Sequence, residues 1–435
     1  MHVILDVSRL LFCVRRVSPS GIDRVEMAYV RRWLAEPPEA CTFVAQSLLG
    51  RFGTMSRASV AALVDTLGES WERGRADPPR LLLLRRLLAR VQAGLLAGLG
   101  RLSLRARLES SDRSVFLLVS HRALEWRGPI AALRRRGAAF VPLIHDLIPT
   151  THPEYARPSQ VMAHRSRIAT TAALADGIIV NSAATAETLL PFLRGRRPAL
   201  PPICVAPLGV ERRPSPCHTL PTEPYFVALG TIEPRKNHLL LLHLWRDLAA
   251  RLGPRAPRLV LVGRRGWENE NILDMLDRCT ALGGLVQERG AAPDAQVTEL
   301  LAGARALLFP SFTEGYGLPV MEALAQGVPV LASDLPSLRE VAGAVPDYLD
   351  PVDGIGWRDA ILDYAGPDSA RRAAQLARLA GWQPPAWEDH FAQVDVLLAQ
   401  LAGAMASRRL PRPLADRAPE PVRPLPAVTA DLPLG

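Results

Sequence analysis

Glu314 and Glu322 bracket the stretch EGYGLPVME, with seven residues between them. Carboxylates accept hydrogen bonds from hydroxyls, so one could hold a sugar and the other a ribose. Gly315 and Gly317 let the backbone approach a ligand closely. Tyr316 and Leu318 complete the loop, and Pro319 suits the first turn of a helix. The free N–H groups and positive end of such a helix form an anion site. The plainer alternative is a surface loop with two solvated carboxylates. A second stretch, GTIEPRKN (230–237), sets Arg235 beside Lys236, the sole lysine among 52 basic residues. Two cations at a helix start repel each other and oppose its dipole, so an anion is expected to neutralise them. A solvated basic pair is the alternative there. A third stretch, LIHDLIP (143–149), carries His145 and Asp146. A histidine can carry a proton, donate to a substrate hydroxyl or cap a loop. A fourth, SRLLFCVRRVSPSGIDRVE (8–26), brings Gly21 to the opening of a helix, where backbone is expected to line the same cleft.

These stretches need elements to hold them. Short apolar runs at 2–7, 114–120, 138–146, 176–182 and 203–209 read as buried strands, with helical stretches at 21–36, 159–175 and 184–193. The alternation restarts after a Pro-rich break, with strands at 225–230, 258–263, 284–289, 306–311 and 329–333. Helices fit 236–251, 269–281, 294–303 and 319–326. Strand–helix alternation implies parallel sheets with helices on both faces, and ligands bind beyond the carboxyl ends of such strands. The fold class is α/β, with two Rossmann-like doubly wound domains. The expected division is a first domain at 1–210, a linker at 211–223 and a second domain at 224–386. A helix at 387–404 would cross back to the first domain, and a Pro-rich tail at 405–435 should be disordered.

The net charge of +9 favours anionic partners, although an Arg-rich composition explains it equally well. No nucleic-acid-binding signature accompanies the charge, and few aromatics are available for stacking, so no nucleic acid is expected. Five scattered cysteines suggest reduced thiols in a cytoplasmic protein. The N-terminus does not read as a signal peptide, and no run is long and apolar enough to span a bilayer. Residues 55–110 fit the alternation poorly and read as an insertion. Within them, 80–108 carries Leu81, Leu84, Leu88, Val91, Leu95, Leu99 and Leu102 at helical spacing among arginines. Such a basic amphipathic helix can lie on an anionic membrane surface, or simply pack on the first domain.

Taken together, GTIEPRKN, FPSFTEGYGLPVMEALAQGVPVLAS and DLPSLREVAG resemble the family-4 retaining glycosyltransferases of GT-B fold, the glycosyl transferases group 1. SGIDRVE, IHDLIP, IIVNSAATAETL and VAPLGV are similar to the same family's first domain. The resemblance covers roughly 1–30, 114–210 and 222–404. It implies that Arg235 and Lys236 hold the diphosphate of a nucleotide-sugar donor and that Glu314 contacts the transferred sugar. The backbone of Gly315, Tyr316, Gly317 and Leu318 would run along phosphate and sugar, and Glu322 would take the ribose. Gly21 would approach the donor, and His145 would lie near the anomeric carbon and acceptor, with Asp146 beside it. Tyr316 stands where phenylalanine is usual. The chain has no Asp-x-Asp motif, so no metal or other cofactor is expected, with the two cations in the metal's place. The implied reaction moves a hexose, mannose or another, with retention onto a glycan or lipid-linked acceptor of surface polysaccharide, at the inner face of the membrane. Two alternatives remain at this point: another GT-B enzyme, such as a sugar-nucleotide epimerase or phosphorylase, or a non-catalytic sugar- or membrane-binding module.

Overall fold

HVILD, SVFLL and RLVLV are runs of branched and leucine side chains, almost wholly buried, as strands covered by helices on both faces must be. A computed structural model describes residues 1–14, 16, 18–74, 78–111, 113–195, 199–211 and 223–407. Residues 212–222 of the expected linker (211–223) and 408–435 of the expected tail (405–435) lie outside the described residues, as does Cys217, and 405–407 continue the preceding helix. Strands β1 (His2–Asp6), β2 (Cys41–Gln46), β3 (Phe52–Thr54), β4 (Ser114–Leu118), β5 (Ala139–Ile144), β6 (Ile178–Val180) and β7 (Ile203–Val205) form one sheet. Its order is β3-β2-β1-β4-β5-β6-β7, parallel except for β3 against β2. Pro142 sits in the central strand β5. There the pairing passes from β4, opposite Ala139–Pro142, to β6, opposite Leu143–Ile144. Proline has no N–H to give a ladder, so this hand-over suits it.

The second sheet is all parallel. It contains β8 (Tyr225–Leu229), β9 (Arg258–Val262), β10 (Val286–Glu288), β11 (Leu307–Phe309), β12 (Val330–Ser333) and β13 (Asp347–Leu349), in the order β10-β9-β8-β11-β12-β13. Both sheets have the doubly wound, Rossmann-like arrangement. In each, the strand order reverses beside the first strand, and the cleft opens there.

Three sequence expectations change in detail. The β2–β3 hairpin extends the first sheet where no strand is expected. The anticipated long helix over 80–108 is two helices, Pro78–Leu96 and Arg101–Glu109. Gly98 and Gly100 between them take φ of 84° and 81°, which a continuous right-handed helix cannot contain. The leucine stripe follows the core as far as Leu95; Leu99 and Leu102 face solvent. Lastly, Pro234–Lys236 is a separate 3₁₀ turn. Asn237 follows at φ 55°, and the helix begins only at His238. Arg235 and Lys236 therefore stand before the helix rather than in its first turn.

The helix Trp387–Ser407 packs on the first sheet's side of the molecule. His390 Nε2 lies 2.7 Å from the Tyr29 hydroxyl, its Nδ1 lies 3.0 Å from the Ala206 carbonyl oxygen, and Arg32 pairs with Asp395 at 2.7 Å. Beneath the helix Gly21–Ala35, Asp6 and Glu26 are wholly buried. Asp6 accepts from the Ser8 hydroxyl and Glu26 from the Leu10 N–H, while Oδ2 of one and Oε2 of the other have no partner among the described residues. Burial holds both carboxyls well above the ordinary range, and each makes ionisation of the other harder.

Candidate active site

The 3₁₀ turn after β8 and the loop after β11 meet side by side, because β8 and β11 are neighbours in the sheet. That adjacency brings Lys236 Nζ to 2.5 Å from Glu314 Oε1, and Arg235 Nη1 to 2.7 Å from Glu314 Oε2. Arg235 also pairs with Glu233 at 2.7 Å and donates to the Thr313 carbonyl at 2.9 Å. The Lys236 ammonium lies 4.4 Å from the centre of the Phe309 ring, at the end of β11. Burial is the largest influence on all three groups. Alone it would raise the Glu314 carboxyl, but Arg235 and Lys236 together hold it down to about 2. Burial opposes the charge on Arg235, yet Glu314 and Glu233 keep it above its ordinary value. For Lys236 burial wins: the ammonium sits below its usual pKa despite Glu314. The expected neutralising anion is thus met first by carboxylates of the protein itself.

Across the cleft, His145 and Asp146 follow the end of β5. His145 is buried, and its Nε2 donates to the Val119 carbonyl at 2.8 Å, which leaves the lone pair on Nδ1. Burial keeps the ring neutral, its pKa lowered to about 4. Asp146 Oδ1 accepts from the Ile148 N–H at 3.0 Å and so fixes the turn. The loop from the second sheet reaches this point. A Cβ added to Gly315 would lie 2.4 Å from the His145 carbonyl oxygen and 2.7 Å from Asp146 Cβ. Only glycine allows this approach. Ser182 donates to the Gly315 carbonyl at 3.0 Å, and Ser337 donates to that of Glu314 at 2.8 Å.

The rest of the loop turns toward the helix Gly21–Ala35. Tyr316 is buried, and its hydroxyl donates to the Leu208 carbonyl at 2.6 Å, a tie that phenylalanine could not make. Gly317, at φ 95°, opens the helix Leu318–Ala325 with no side-chain cap on its N–H groups. A Cβ on Gly21 would meet Leu318 Cδ1 at 3.0 Å. Glu322 lines a neighbouring cavity with Leu318 and Arg24, and Arg24 Nε lies 3.4 Å from its Oε1. The same guanidinium grips Asp294 through both oxygens, at 2.8 and 2.5 Å. The expected residues therefore form two groups. Arg235, Lys236, Glu314 and Gly315 gather with His145 and Asp146, while Glu322, Leu318 and Gly21 stand around Arg24.

Sequence reasoning did not single out Arg24, Glu233, Asp294, Ser182, Ser337 or Glu340. The last accepts from the N–H groups of Ala183 and Ala184, at 2.6 and 3.1 Å. All of these residues except Asp294 lie within stretches that carry the family resemblance. No spacing could have shown that Arg24 meets a carboxylate 270 positions away.

The glycosyl transferases group 1 family matches over residues 217–345. The O-antigen chain mannosyltransferase B of Escherichia coli is 30% identical over 291 residues, covering 65% of this chain and 76% of that protein. The serotype-specific mannosyltransferase WbdA of the same species is 28% identical over 246 residues. That match takes in 52% of this chain but 29% of WbdA. Among solved structures, Anabaena HepE in complex with UDP-glucose superimposes with a TM-score of 0.58 at 14% identity, over 94% of this chain and all of that one. The fold is thus GT-B, and the chain belongs to the glycosyl transferases group 1 family as a glycosyltransferase.

Proposed function

We propose that this chain is a retaining hexosyltransferase using a nucleoside-diphosphate sugar, with mannose the first choice of sugar. The acceptor is a glycan or lipid-linked glycan of surface polysaccharide, and the enzyme works without a divalent metal at the inner face of the membrane. The mannosyltransferase relatives support the sugar and the polymer class. The UDP-glucose bound to HepE is consistent with a nucleotide sugar as donor.

The observation that carries the reading is the convergence of Arg235 and Lys236 on Glu314, opposite His145 and Asp146. An ammonium has three donors, and Glu314 takes one from Lys236, so donors remain for phosphate oxygens. During transfer the bond from the anomeric carbon to the diphosphate oxygen breaks. The acceptor oxygen bonds to the same face, and its proton passes to the departing phosphate. Negative charge growing on the diphosphate meets two preorganised cations, the role a metal fills elsewhere. Glu314, ionised at any working pH, accepts from sugar hydroxyls, and Glu322 accepts from the ribose.

A nucleotide-sugar panel screened by thermal shift, followed by NMR of the product anomer with chelator present, tests the proposal. Turnover in chelator with the donor's anomeric configuration kept is expected. An inverted product overturns retention, and loss of rate in chelator overturns metal independence. Conversion of the donor alone to an isomeric nucleotide sugar would make the chain an epimerase instead.

A further inference from the structure

Apart from the cation cluster, the first domain has an uncovered face. A groove of about 410 Å³ runs between the β2–β3 hairpin, the helix Arg101–Glu109 and the helix Arg127–Arg135. Among the described residues, four arginines line it, Arg51, Arg101, Arg105 and Arg136, and no acidic side chain does. Arg105 is paired with Glu109 at 2.7 Å, while Arg101 Nε is buried with no partner among the described residues. Beside the groove stand large apolar side chains in water: Leu102 at 80% exposure, Leu99 at 67%, Leu48 at 64%, Leu49 at 62% and Trp126 at 45%. They form one neighbourhood, since Gly50 rests against the Trp126 ring and Gly53 against the Leu99 carbonyl. Isolated exposed leucines need no explanation, but five large apolar groups around a basic groove mark an interaction surface.

The position of this surface identifies what it meets. Leu48, Leu49 and Arg51 follow β2, and Trp126 opens the helix after β4. Both strands point their carboxyl ends toward the rim that also carries His145. Phe12, after β1 on the same rim, is exposed beneath the Arg122 guanidinium. Interleaved arginine, leucine and tryptophan suit the boundary of an anionic bilayer, where guanidinium groups meet phosphates and the apolar tips enter the acyl region. We infer that the chain docks on an anionic phospholipid membrane through this surface. Part of the surface lies outside the 80–108 stripe: Leu48, Leu49, Arg51 and Trp126 come from elsewhere in the chain, and Leu84 and Leu95 of that stripe point inward.

Vesicle flotation with the full chain tests this without donor or acceptor, so its result is independent of the transfer reaction. Vesicles of phosphatidylcholine with phosphatidylglycerol are expected to carry the protein up the gradient, and pure phosphatidylcholine is not. Each arginine near an anionic surface contributes about a fivefold change in partition. Arg51→Ala with Arg101→Ala should therefore lower binding by about 25-fold. Leu48→Ser with Leu49→Ser and Leu102→Ser should lower it as well, while the thermal midpoint stays put because these side chains are exposed. At matched ionic strength, inorganic phosphate should release no more protein than chloride does. Failure of the wild-type chain to float overturns the inference. So does equal binding to both vesicle types, wild-type binding by either variant, or release by inorganic phosphate beyond that by chloride at the same ionic strength.

Discussion

Lys236 and Glu314, 78 positions apart in the chain, meet with Nζ 2.5 Å from Oε1. The other carboxylate oxygen is taken by Arg235 at 2.7 Å. One glutamate thus binds both members of a repelling cationic pair in a buried place. A donor diphosphate would find its cations already positioned, and the sugar hydroxyls would find a carboxylate already ionised. Preorganisation of this kind makes a charged site effective, because little has to reorient as charge develops.

Lys236→Ala should reduce transfer by about 10²–10³-fold, the usual cost of one lost charge-stabilising donor. Lys236→Arg should also be impaired. The ammonium fits between Glu314 and the Phe309 ring as a compact point charge, and a planar fork has a different shape. Steady-state rates with the identified donor check both, and wild-type turnover in either variant would remove Lys236 from the diphosphate.

Glu314→Gln separates two roles. It leaves Arg235 and Lys236 buried with less compensation, and breaking a buried pair costs about 3–5 kcal/mol. The thermal midpoint should fall. Nucleoside diphosphate affinity should hold or rise, because the two cations lose a competing anion, while turnover collapses. Calorimetric titration beside a rate assay reads this; parallel loss of affinity and rate would contradict it.

Gly315→Ala places a methyl group 2.4 Å from the His145 carbonyl oxygen, so the loop and the end of β5 must move apart. Displacement by about 1 Å can cost on the order of 10² in rate. The expected outcome is a folded protein with turnover reduced at least to that extent, checked by circular dichroism and kinetics.

Arg24 joins the first domain to Asp294 and Glu322 of the second. In Arg24→Ala this buried clasp is gone, and the ligand-free protein should open. Small-angle scattering should show a larger radius of gyration than wild type. An unchanged profile would mean that the Gly315 and Glu340 contacts are enough to hold the closed form.

Asp6 and Glu26 set a pH dependence. The folded state binds their protons more tightly than the unfolded chain does. Their contribution to stability is therefore complete below the ordinary carboxylate range and is lost as pH rises through it toward the raised folded values. Glu26→Gln should shrink this decline, so its advantage over wild type in urea unfolding should grow with pH. An advantage that shrinks with rising pH would reverse the sign and refute the assignment.

Much of this protein is determined by its sequence alone. Runs such as HVILD and RLVLV, separated by helical spacing, dictate two parallel sheets, because period and burial are local properties of the chain. EGYGLP after one strand and EPRKN after another place a loop carboxylate and two cations at strand ends, where parallel sheets bind ligands. At β2, β3 and β13, and at the break at Gly98–Gly100, the reading differs from the fold; pairing with a neighbouring strand, not the local run alone, makes those three segments part of a sheet. Only the tertiary structure decided which charges are partners. Glu314 neutralises Arg235 and Lys236 because β8 lies beside β11, and Arg24 reaches Asp294 because two sheets face each other. The exposed rim of Leu48, Leu102 and Trp126 comes from three separate segments. Electrostatics and burial depend on distance in space, which the spacing of residues along a chain does not record.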